Sequence, residues 1–122
     1  MHYGTGSVAV VQALVAAFDF MTRIGLERIE RWDAMLTQRL RDGLARIPAA
    51  RISSPTDPRL ASAITTFRID GVKAKALQDA LWARHVRVRP QGDARGVRLS
   101  AHIYTSPAAV DTVLDVASSL GK

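Results

Sequence analysis

The chemistry-bearing residues of this chain gather in one stretch, Val97-Arg98-Leu99-Ser100-Ala101-His102-Ile103-Tyr104-Thr105-Ser106-Pro107. The alternation sends Val97 and Leu99 to one face of a short strand and Arg98 and Ser100 to the other. A guanidinium is a planar fork of donors, suited to gripping a carboxylate with two parallel hydrogen bonds. By type and spacing alone, Arg98 is either such a grip or an ordinary solvated arginine on an edge strand. Ser100 shares its face and is at most a minor hydrogen-bond partner. His102 lies close in sequence, either within reach of a bound molecule or simply in a surface turn.

A second group opens the chain, Tyr3-Gly4-Thr5-Gly6-Ser7, directly before an apolar run. A glycine ahead of a helix start leaves space for a phosphate, and the helix terminus supplies free N–H groups. An ordinary capped turn would use the same residues. Gly4-Thr5-Gly6 is not a dinucleotide fingerprint, because the preceding strand and the third glycine are both missing. The three histidines, His2, His85 and His102, have no partner at metal spacing, so no metal site is expected. The absence of cysteine removes disulfides, thiolate zinc sites and a thiol nucleophile, and fits a reducing cytoplasm. No residue stands out as catalytic. Lys73 and Lys75 fall in the opening turn of an expected helix, where solvent is their natural partner.

These groups must be positioned by 122 residues, enough for a single domain with a real core, taken here as residues 1–122. Hydrophobic residues make up 48%, which argues against disorder. The net charge of +6 comes from arginines scattered among Glu and Asp, with only Arg84, Arg87, Arg89, Arg95 and Arg98 forming a local cluster, and aromatic residues are only 6%. That pattern offers no stacking platform for bases and speaks against nucleic-acid binding. The apolar run from Val8 to Phe18 is shorter than a membrane span of about 20 residues, and is read as a buried helix.

The periodicity predicts helices over about Val8–Arg23, with Ser7 as N-cap, and Leu26–Arg46, ended by Pro48. Short strands follow at Arg51–Ser53 and Ala61–Ile69, then a helix over Val72–Arg84. Strands at Val86–Arg89 and Val97–Ser100 flank a loop with two glycines. A last helix is capped by Ser106 with Pro107 at its first position. Trp32 and Trp82 are expected in the core. Strands that return quickly imply an α+β domain, a small antiparallel or mixed sheet of three to four strands flanked by helices.

The stretch Arg98-Leu99-Ser100 with Tyr104-Thr105-Ser106 resembles the C-terminal signature of class V aminotransferases. These are pyridoxal 5′-phosphate (PLP) enzymes that include cysteine desulfurases and isopenicillin N epimerases. The family's Tyr-Asn-Thr-like turn carries Thr105 here in place of Asn. Tyr3-Gly4-Thr5-Gly6 resembles the family's Gly-Thr element, and Phe20–Ile29 resembles the stretch joining its next two helices. The similarity runs from about Tyr3 to Leu120.

The resemblance implies the small C-terminal domain of such an enzyme, with the large PLP-binding domain absent. It implies Arg98 on the α-carboxylate of an amino-acid substrate, and Gly4 and Thr5 near the cofactor phosphate across a subunit interface. The lysine that anchors PLP in the family has no counterpart here: Lys73, Lys75 and Lys122 all sit in other contexts. The chain alone is therefore expected to bind no PLP and to be inactive. Desulfurases of the family need a cysteine in the loop corresponding to Pro90–Gly96, which has none, so an epimerase, aminotransferase or lyase parent is expected. The very apolar first helix calls for a partner, either the missing large domain or a second copy. The alternative is a non-catalytic, oligomerising module derived from that domain.

Overall fold

A computed structural model describes residues 7–55, 57 and 59–122. The chain divides into two compact units, Met1–Arg31 and Trp32–Lys122. The first holds helix α1 (Val8–Ile24) and the opening turns of α2 (Leu26–Ala45). Gly25 separates the helices with φ of 96°, a backbone conformation that side chains with a Cβ rarely adopt. The expected Ser7 cap is only half present. Its backbone carbonyl accepts from the Val11 amide at 3.2 Å, but its hydroxyl makes no capping bond. The expectation that α1 is buried is also overturned, since it contains no buried residue. Its sequence is apolar on most sides, and burial needs a neighbour that the sequence pattern does not supply.

The second unit is an α+β layer. Strands β1 (Ala50–Ile52), β2 (Ile64–Ile69), β3 (Arg89–Pro90) and β4 (Val97–Ser100) form one sheet in the order β1-β2-β4-β3, antiparallel throughout. Helices α3 (Ala74–Trp82) and α4 (Pro107–Leu120) join the remainder of α2 on one face. The period-2 pattern of β2 turns Thr65, Phe67 and Ile69 inward. They meet Leu36, Leu40 and Leu44 of α2, Leu77 and Leu81 of α3, and Val113 and Ala117 of α4. Burying each of the larger side chains contributes about 1.5–3 kcal/mol. The Ser106 cap of α4 is as expected: its hydroxyl accepts from the Ala109 amide, with Pro107 at the first helical position.

Three expectations shift. Strand β3 is only two residues long and lies at Arg89–Pro90, because Pro90 has no N–H and holds an edge position. Helix α3 begins at Ala74 rather than Val72. The Asp93 carboxylate, from the β3–β4 loop, accepts from the Ala74 amide at 2.8 Å and takes the capping role that Lys73 cannot fill. Neither tryptophan is core: Trp32 donates its indole N–H to the Thr105 carbonyl at 3.3 Å, and Trp82 is exposed beside the Arg87 guanidinium.

Candidate functional site

Strand β4 places Arg98 as its alternation demands. Val97 is fully buried and Leu99 half-buried, while Arg98 and Ser100 stand on the opposite, open face of the sheet. Register then surrounds Arg98. On one side it lies opposite Thr66 of β2, on the other opposite Arg89 of β3. Arg87, Arg89, Arg98, Ser100 and Gln78 line a shallow groove of about 640 Å³. Gln78 is held there by a bond from its amide nitrogen to the Val88 carbonyl at 3.3 Å.

The charge balance on this face is uneven. Arg51 and Arg68 on the β1 side both pair with Asp70, at 3.0 and 3.3 Å. Arg98 and Arg89 pair with no carboxylate among the described residues. Two like charges directly opposite on adjacent strands repel. An anion set between them would relieve that repulsion while accepting hydrogen bonds from either fork. The groove can therefore bind a carboxylate or another small oxyanion. Arg89 belongs to the arginine cluster visible along the chain, but only register makes it the direct neighbour of Arg98.

The loop that closes β3 onto β4 is tight. The Gln91 amide donates to the Gly96 carbonyl, and the Gly96 amide to the Gly92 carbonyl, each at 2.8 Å. Gly96 has φ of 82°, and a Cβ there would run into the Phe67 carbonyl and the Arg68 backbone. The loop therefore holds β3 beside β4, and with it Arg89 beside Arg98.

His102 is half-buried, stacked on Tyr104 with ring centroids 4.5 Å apart, and does not line the Arg98 groove. Gly4 and Thr5 lie outside the described residues. Lys75 is ion-paired with Asp79, Lys73 sits at the start of α3, and Lys122 ends the chain. No lysine lines the groove, and no cluster of His, Asp or Glu among the described residues could hold a metal. No single described helix is long and apolar enough to cross a membrane.

The arginines thus stand on the open face of a small α+β layer. The sequence profile of aminotransferase class-V matches residues 1–113, and the chain belongs to that family. A probable cysteine desulfurase of Synechocystis is 32% identical over 91% of this chain and 29% of its own length. An isopenicillin N epimerase of Amycolatopsis lactamdurans is 27% identical over 98% of this chain and 31% of its own. The apo cysteine desulfurase of Thermococcus onnurineus superposes with a TM-score of 0.87 at 25% identity, covering 98% of this chain and 32% of that one. The chain thus spans about a third of the length of these relatives. Members of the family bind PLP. The described residues do not fit PLP by themselves, since the Arg98 groove offers cations for an anion but no lysine to anchor the cofactor.

Proposed function

We propose that this chain serves as the small C-terminal domain of a PLP-dependent class V enzyme acting on an amino acid in the cytoplasm. The observation that carries the reading is Arg98, free of any ion pair among the described residues and facing Arg89 on an open sheet face. In this reading Arg98 binds the substrate α-carboxylate as a bidentate donor. Its rigid strand fixes the direction in which the substrate's other bonds point. Gly4 and Thr5 reach the cofactor phosphate of a neighbouring subunit. PLP, with its anchoring lysine, comes from a large domain supplied by another stretch of polypeptide, and provides the electron sink for bond breaking at the substrate's α-carbon. The exposed apolar helix α1 is covered by that large domain or by a second copy.

The reaction is of the epimerase, aminotransferase or lyase type rather than desulfuration. A closed, cysteine-free hairpin at residues 91–96 supports this, because a persulfide route needs a thiol nucleophile there.

The test is to assemble the chain with a large PLP-binding domain of the family and titrate amino acids, following cofactor absorbance. Arg98→Ala should weaken amino-acid affinity roughly tenfold or more, the scale of a lost charged hydrogen-bonding pair. Cofactor retention should be unchanged. Unaltered amino-acid affinity in that variant would remove Arg98 from the role.

A further inference from the structure

The Arg98 groove holds more positive charge than one carboxylate needs. Arg87, Arg89 and Arg98 all line it, and no aspartate or glutamate does. None of the three guanidiniums pairs with a carboxylate among the described residues. Val88 is buried between exposed Arg87 and exposed Arg89, so the two arginines rise from the same open face. Arg89 stands opposite Arg98 in the ladder, and the same register carried two residues further brings Arg87 level with Ser100. The groove thus has a paired end, Arg89 with Arg98, and a single end, Arg87, about 6–7 Å further along the strand.

Arg87 is also held in place. Its guanidinium lies over the Trp82 ring, 5.6 Å from the centroid, although Trp82 is 59% exposed. The turn after α3 makes this approach: the Val86 amide donates to the Leu81 carbonyl at 2.9 Å, and His85 has φ of 61°. An aromatic face beneath a guanidinium attracts it and limits where its fork points.

We propose that the groove takes an amino acid whose side chain ends in a second acidic group, and that Arg87 reads that group. The inference rests on the reading of Arg98 as the partner of the α-carboxylate and extends it to the class of substrate. The α-carboxylate lies between Arg98 and Arg89. A side chain of about two or three carbons carries the second acid along the strand to Arg87. There it accepts hydrogen bonds from a fork that Trp82 holds. Trp82 is a positioning residue and acts through Arg87. A neutral amide in place of the second acid forfeits the charge attraction at this end, which is how the groove discriminates.

The 122-residue chain is titrated in a buffer of low ionic strength with glutarate and, separately, with glutaramate, which has the same shape and one charge fewer. NMR signals of the arginine side chains are followed. Glutarate should bind about fivefold more tightly, the scale of one exposed charge pair. Arg87→Gln should bring the two probes to the same affinity. Trp82→Leu should reduce the preference for glutarate and leave glutaramate unchanged. Arg95 belongs to the same cluster in sequence but does not line the groove, so Arg95→Gln should keep the preference. A preference lost equally in Arg95→Gln would reduce the effect to net charge and overturn the proposal. Equal affinity of the two probes for the unaltered chain, or no binding of either, also overturns it. Arg98→Gln should weaken both probes. If it does while Arg87→Gln changes nothing, the second subsite falls and the reading of Arg98 stands. If Arg98→Gln leaves both affinities unchanged, both fall.

Discussion

Arg98 owes its meaning to two neighbours. Along β4, Val97 sinks into the core and anchors the strand, so the next side chain must face outward. Across the sheet, Arg89 stands directly opposite with no acid between them. In the free chain this pair is a liability that a bound anion would turn into an asset. Arg89→Gln should therefore stabilise the chain by a few tenths to about 1 kcal/mol. The gain should shrink as salt is added, because exposed charges are screened. Urea unfolding midpoints at low and high salt check this, and a loss of stability indifferent to salt would show that Arg89 supports the fold in some other way.

At the level of elements, α2 and α4 are joined outside the core by one forked ion pair. Arg39 donates to the two carboxylate oxygens of Asp111 at 2.8 and 2.9 Å. The hydrogen bonds from Arg39 hold the Asp111 carboxyl below its usual range, and the same pairing raises Arg39 above its own. A carboxylate with a lowered pKa in the folded state stabilises at any pH above its unfolded value of about 3.9, and the benefit disappears as pH falls through the lowered folded value. Asp111→Asn should thus lower the melting temperature slightly at neutral pH, and the difference from the unaltered chain should vanish in strong acid. Thermal scans across that range decide it, and a difference that persists in acid would mean the pair contributes nothing through charge. The two helices also touch closely at Gly43, where a Cβ would collide with Leu114. That contact is invisible in the apolar periodicity of either helix.

For the whole molecule, α1 is the feature that remains unresolved by the chain itself. Val8, Val10, Leu14 and Phe18 are all more than half exposed. Contiguous apolar surface of this kind marks an interaction face. Alone in solution, the chain should self-associate through it. Leu14→Asp together with Phe18→Asp should shift sedimentation toward the monomer without altering the sheet unit. A monomer at all concentrations before any substitution would contradict this.

The order of elements was legible along the chain because each rests on local chemistry: the four-residue helical spacing of Leu36, Leu40 and Leu44, the alternation around Phe67, and the Ser106–Pro107 start of α4. Arg98 and its outward face followed from the same alternation. The expected burial of α1, Trp32 and Trp82 did not hold, because apolar character says that a side chain prefers cover and not whether any is within reach. What tertiary structure alone decided were the pairings between distant segments. Register set Arg89 against Arg98, Asp93 capped a helix that precedes it in sequence, and Gln78 of α3 came to line the groove of Arg98. Such contacts depend on how sheet and helices are seated on one another, and no residue's type or local spacing encodes the partner it will meet across that distance.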